Sequence, residues 1–133
     1  MDLTPGYTLD DIENIKVDVD NRRLGERIEI HPGFVDTADY LRAGDVFCMP
    51  PENEAMGTPL LEALVSGLPV VANSGESSFH EHVVDGQNGF LSRLDAGEWA
   101  NAVVKTLEIS ESQRQLFARE TSDLVSTERI DAD

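Results

Sequence analysis

Glu54 and Glu62 are separated by seven residues, and Gly57, Thr58 and Pro59 lie between them. Thr58 has the side chain of a helix N-cap, and Pro59 suits the first helical position, where a missing N–H leaves nothing unsatisfied. Gly67 then ends the helix. A helix start combines free backbone N–H groups with partial positive charge, so it favours an anion such as a phosphate. Along the helix, Leu60, Leu61, Leu64 and Val65 define the buried side, which leaves Glu62 more than roughly 90° from its centre. A carboxylate placed there can accept two hydrogen bonds from a vicinal diol such as a ribose, while the helix start binds the phosphates of the same ligand. Glu54, in the loop before the helix, can accept hydrogen bonds from a second polyol held over the helix end. A solvated glutamate needs no ligand, but here two carboxylates, a glycine that permits close backbone approach and a capped helix converge on one edge.

The elements that must position these residues follow from pattern and punctuation. Met1 to Tyr7 reads as a flexible lead-in. Thr8 opens a short helix with Leu9, Ile12 and Ile15 on one face, and Val17 to Asp20 alternates as a strand does. Arg27 to His31 alternates charged and aliphatic residues and stops at Pro32-Gly33, a short strand and turn. Thr37 to Ala43 is a short helix closed by Gly44. Asp45 to Met49 is apolar after one acid, as in a strand buried on both faces, and it places Cys48 inside as a small hydrophobe. Pro69 to Ala72 is a second buried strand. Ser77 to Val84 reads as a helix, Asp85 to Gly89 as a turn and Phe90-Leu91 as a minimal edge strand. Ala96 to Leu107, capped by Asp95, and Ser110 to Val125 are amphipathic helices, and Ser126 to Asp133 is expected to fray. Strands alternating with helices predict an α/β domain with a parallel, Rossmann-like sheet covered on both faces. A poorly defined segment, 1–27, with one helix would precede a single domain over 28–133 that ends in helices.

With 26 acidic against 10 basic residues the formal charge of the 133-residue chain is −16, which argues against nucleic acid or an anionic membrane as partner. Lys16 and Lys105 are the only lysines, and the acids are spread along the whole chain. That coat and 40% hydrophobic content fit a protein kept soluble at high salt, where self-repulsion is screened, although an acidic protein of no special habitat would read the same way. A lone cysteine excludes an internal disulfide. No apolar run is long enough to span a membrane and no signal-peptide pattern is seen, so a cytoplasmic location is the default expectation. His80 and His82 are two apart and diverge on a helix, so no metal is expected, although His80 could approach the phosphates from its loop. His31, beside a Pro-Gly turn, reads as structural, and Trp99 and Phe117 read as core.

Three stretches together carry a family resemblance. These are Glu54-Ala-Met-Gly57-Thr-Pro-Leu-Leu-Glu62-Ala, then Gly67-Leu-Pro69-Val70-Val71-Ala, then Glu81-His-Val-Val-Asp85-Gly86-Gln-Asn88-Gly89-Phe90-Leu91. The chain from about Leu24 through Leu107 resembles the C-terminal domain of GT-B glycosyltransferases, in particular the large retaining class called family 4. The resemblance implies a nucleotide-diphosphate sugar as donor. Glu54 would contact the transferred sugar and act in catalysis, and Glu62 would hold the ribose hydroxyls. Gly57, Thr58 and the residues that follow, Pro59 and Leu60, would face the diphosphate. No cofactor or metal is implied, and the leaving phosphate would help deprotonate the acceptor on the retained face.

Two departures shape the expectations. Ala55-Met56 stands where the family has Gly-Phe or Pro-Phe, so the packing beside the donor differs. An N-terminal acceptor domain and two early strands carrying an Arg and a Lys to the phosphates have no counterpart here, and no Lys or Arg occurs between Arg42 and Arg93. A helix end is worth only about 0.3–1 kcal/mol per charge at exposed sites. Weak donor binding and little transfer by the chain alone follow. The expected reading is a donor-binding glycosyltransferase domain that needs a missing or separate N-terminal domain for the acceptor half; the alternative is a non-catalytic nucleotide-sugar-binding or interaction module, a truncated fragment. An unpaired sheet edge is expected to dimerise or to be covered by the first 27 residues.

Overall fold

The computed structural model describes residues 8–31, 37–50 and 58–132, in two compact units, Met1–Thr37 and Ala38–Asp133. In the first unit, helix α1 (Leu9–Asn21) opens on a reciprocal capping box, with Asp11 N–H donating to Thr8 Oγ1 at 3.2 Å and Thr8 N–H donating to Asp11 Oδ2 at 2.8 Å. It closes with Arg23 at φ 57°, where Arg23 N–H reaches Asp20 O and Leu24 N–H reaches Val19 O, a Schellman arrangement usually given to glycine. The alternation at Val17 to Asp20 is therefore helical, stiffened by an Arg22–Asp18 pair at 2.9 Å. None of the α1 residues is buried, so its ends and side-chain pairs, not a core, define it. The strand expected at Arg27 to His31 does not form. Arg27 and Ile28 N–H groups turn back to Leu24 O, and no strand occurs among the described residues of this unit. The Pro32-Gly33 turn lies outside the described residues.

The second unit is a sheet with helices on both faces. Helix α2 (Thr37–Ala43) precedes strand β1 (Phe47–Met49), α3 (Thr58–Val65), β2 (Val70–Asn73), α4 (Ser77–His80), β3 (Gly89–Ser92), α5 (Ala96–Leu107) and α6 (Glu111–Ala132). The three strands are parallel in the order β1-β2-β3, with Phe47 opposite Val70 and Val70 opposite Gly89. Side chains alternate between faces. Phe47, Met49, Val70, Ala72 and Leu91 join the core with Leu60, Ala63 and Leu64 of α3, Phe79 of α4 and Val83. Val71 and Phe90 point to the other face, where α5 lies against β2 and β3. That helix is seated by Ala102 and the fully buried Thr106, whose hydroxyl donates to Ala102 O at 2.7 Å.

Several expectations about burial are corrected. Cys48 is exposed: β1 is an edge strand of the described sheet, and α5 packs mainly against β3 and β2. On α3 the buried face is Leu60, Ala63 and Leu64; Leu61 is half-buried and Val65 is 40% exposed. Trp99 and Phe117 are half-buried, and Leu116 and Leu124 are exposed along α6, which packs against α3 and stays helical to Ala132 where fraying was expected. Helix α4 stops at His80, short of Val84. The Val84 N–H is taken by Asn88 Oδ1 at 2.8 Å and so cannot extend a helix.

Two glycines are dictated by backbone geometry. Gly67, at φ 82°, closes α3 in a Schellman motif, its N–H reaching Leu64 O and that of Leu68 reaching Ala63 O, both at 3.0 Å. Gly89 lies so close to β2 that a Cβ there would stand 2.0 Å from Val70 O. The turn before it is closed by its own side chains: buried Asn88 also donates to His82 O at 2.8 Å, and Asp85 Oδ1 accepts from Leu91 N–H at 2.8 Å.

Candidate site at the carboxyl edge of the sheet

Parallel strands end on one edge, and in open α/β sheets that edge is where ligands bind. Here it carries the first turn of α3 after β1, the loop Ser74–Glu76 after β2, and Arg93 to Asp95 after β3. Helix α3 is fixed there by its buried Leu60, Ala63 and Leu64 and by the Gly67 closure. Thr58, Pro59 and Leu60 form the first helical turn. Leu60 is fully buried, so its side chain serves the core and only its backbone can serve a ligand.

Glu62 is exposed, and its carboxylate has no hydrogen-bond or ion-pair partner among the described residues. At roughly 100° per residue it lies about 150° from the centre of the buried face. The helix thus presents an exposed carboxylate one turn from its electropositive end. Its carbonyl accepts from Ser66 Oγ at 2.8 Å, which ties down the helix end behind it. Glu54 and Gly57 lie outside the described residues, so the structure brings together Thr58, Pro59, Leu60 and Glu62 of the expected set.

The loop after β2 is built as a rigid wall. Buried Asn73 accepts from Gly75 N–H through Oδ1 at 2.9 Å, and its carbonyl accepts from Glu76 N–H. His80 Nε2 donates to Ser74 O at 2.7 Å, so the ring faces the loop backbone instead of a separate anion. No sequence signal announced that role, since its partner is a main-chain carbonyl. His82 is mostly buried and 4.0 Å from Glu81, and no group of metal-ligating side chains occurs among the described residues. His31 pairs with Glu29 at 3.1 Å in the first unit. No helix among the described residues is long and apolar enough to cross a membrane.

Comparison with known proteins bears on the family and the fold. The chain is 37% identical over 84 residues to a D-inositol 3-phosphate glycosyltransferase of Stackebrandtia nassauensis, covering 62% of this chain and 19% of that protein. It is 36% identical over 85 residues to a sulfoquinovosyl transferase of Arabidopsis thaliana, covering 62% and 15%. An α-1,3/1,6-mannosyltransferase of Neurospora crassa is 41% identical over 69 residues, covering 50% and 14%. The chain thus spans less than a third of the length of these relatives. Among solved structures, the C-terminal domain of a glycosyl transferase group 1 family protein from Francisella tularensis superposes with a TM-score of 0.66 at 25% identity, over 90% of this chain and 62% of that one. Sucrose-phosphate synthase from Thermosynechococcus elongatus shares the fold, with a TM-score of 0.65 at 22% identity over 98% and 37%. With the family "glycosyl transferases group 1" matched across residues 10–108, the chain belongs to that family, and its Rossmann-like sheet is that of a GT-B C-terminal domain.

Proposed function

We propose that the chain is the donor-binding part of a retaining glycosyltransferase, holding a nucleotide-diphosphate sugar at the α3 end of the sheet. The observation that carries this reading is the exposed Glu62 carboxylate, without a partner among the described residues, one turn from a helix start at the carboxyl edge, in a chain of this family. Glu62 accepts hydrogen bonds from the ribose diol, and the backbone at Gly57, Thr58 and the next residues receives the diphosphate. Glu54 holds the transferred sugar. In the reaction the sugar–phosphate bond breaks and a bond to the acceptor oxygen forms on the same face. The acceptor proton passes to the leaving diphosphate.

Charge sets the limits of the isolated chain. Lys and Arg are absent from 43–92, so the segment that forms the α3 end of the sheet offers the donor's phosphates only helix-end amides. Basic side chains and the acceptor site are therefore assigned to a separate chain or domain, and transfer requires both.

The test is thermal unfolding in molar potassium chloride with uridine, guanosine and adenosine diphosphates and their sugars, for wild type and Glu62→Ala. A ligand at a hundred times its dissociation constant adds about 2.7 kcal/mol. A shift with one nucleotide that is lost in Glu62→Ala supports the reading. Identical behaviour of the variant with every nucleotide overturns it and leaves a non-catalytic interaction module.

A further inference from the structure

The carboxyl edge has a second opening on the opposite face of the sheet from α3. Between β3 and α5 lies a cavity of about 330 Å³ whose walls include Ser74, Phe90, Arg93, Glu98, Asn101 and Lys105. That volume falls in the range of small-molecule pockets. Phe90 lies on the sheet face covered by α5, whereas α3 covers the other, so this opening and Glu62 lie toward opposite faces of the carboxyl edge, which the cavity reaches through Ser74 and Arg93.

Its charge is unlike that of the rest of the chain. Arg93 and Lys105 are the only Lys or Arg residues within 43–113 of a chain with net charge −16, and both line this one cavity. The Lys105 ammonium sits 5.9 Å from the centre of the Phe90 ring and has no carboxylate partner among the described residues. Arg93 meets Glu98 at 3.6 Å, but both side chains are largely exposed, and such a pair yields readily to a better partner. The Ser74 hydroxyl and the Asn101 amide make no hydrogen bond to another described residue. Two cations, two free polar groups and an apolar floor therefore surround a volume of sugar size.

We propose that this cavity binds a small ligand bearing an oxyanion, a phosphate or a carboxylate, on a sugar-sized polar body. Lys105 supplies a point charge and Arg93 a planar fork that can grip two oxygens at once. Ser74 and Asn101 hydrogen-bond the body, which rests against Phe90. Glu98, in the same wall, opposes the anion directly and must give up Arg93 when the ligand enters. The remoter acids act only weakly at physiological salt, where their field decays over about 8 Å.

The test is a titration of the isotope-labelled chain, followed by amide NMR at one fixed ionic strength. The probes are inorganic phosphate, a hexose 6-phosphate, a hexonic acid and the uncharged hexose. Saturable shifts at Ser74, Ser92, Asn101 and Lys105 are expected with the anionic probes and not with the hexose. The phosphate and carboxylate arms name the oxyanion. Lys105→Gln and Arg93→Gln, both at exposed positions and checked for an unchanged spectrum, each weaken binding about tenfold or more. Glu62→Ala leaves this binding unchanged, which separates the cavity from the donor site. Absence of saturable shifts with every anion, equal shifts with the hexose, or unaltered affinity in both charge variants overturns the proposal.

Discussion

Replacing Gly89 by Ala tests the close approach of β3 to β2. The added Cβ would lie 2.0 Å from Val70 O and 2.9 Å from Val70 C and Cγ2. To restore an ordinary carbon–oxygen separation, β3 must withdraw by about 1.3 Å. Most of what it meets is backbone, so no rotamer change relieves the contact. Overpacking of this kind costs about 1–3 kcal/mol. The shift also loosens the bond from Val70 N–H to Asn88 O, now 3.1 Å, and its neighbours in the ladder, each worth about 1 kcal/mol net. The loss of unfolded-state freedom returns about 0.4–1 kcal/mol. The net destabilisation is about 2–4 kcal/mol, a large share of the 5–15 kcal/mol typical of a domain. In a thermal melt followed by circular dichroism this lowers Tm by roughly 6–20 °C for a chain of this size. Gly97→Ala is the control. A Cβ there meets Asp95 Oδ1 at 3.4 Å, an ordinary contact, and lies within α5, so Tm should hold or rise. A Gly89→Ala melt within about 2 °C of wild type would refute the reasoning.

Asn88→Ala removes two hydrogen bonds from a buried turn and should lower the urea midpoint by an amount equivalent to about 2–4 kcal/mol; an unchanged midpoint would show the turn to be held otherwise. Cys48 should react stoichiometrically with a disulfide reagent in native buffer, and protection until unfolding would mean that its face is covered. Raising potassium chloride from low to molar concentration should raise Tm, since self-repulsion at a net charge of −16 is screened; a fall in Tm would count against the charge argument.

The elements most legible in the sequence were those with punctuation at both ends. Thr37 to Ala43 and Ala96 to Leu107 have the bounds that Gly44 and the Asp95 cap, with its 2.9 Å bond from Glu98 N–H, suggested. The helix carrying Glu62 was legible for the same reason, through Thr58, Pro59 and Gly67. What failed was whatever depends on neighbours remote in sequence. Cys48 and Val65 are as apolar as their buried neighbours, but their exposure is decided by where α5 and α6 lie. Arg27 to His31 has strand chemistry without a strand to pair with. Val17 to Asp20 alternates over four residues, too short a run to outweigh the capped helix that already contains it. Arg93 and Lys105 share a cavity only because β3 and α5 pack together, and nothing in their spacing announces it.

The self-closed turn before β3 also bears on the order in which the chain folds. Parallel strands cannot be joined by a hairpin, so β2 must wait for β3 to return over a long crossover, a slow event in most sheets. Here the later part of that crossover is tied by bonds that span no more than six residues: Asn88 to Val84 and His82, Asp85 to Leu91, Gly86 to Gly89. Such short closures cost little chain entropy and form early. The stretch from His82 to Leu91 can therefore assemble before the strands meet, presenting Gly89 to Val70 on a shortened free loop. The polar residues of the turn act as a kinetic tether for the sheet, and their removal should be felt in the refolding rate before it is felt in the unfolding rate.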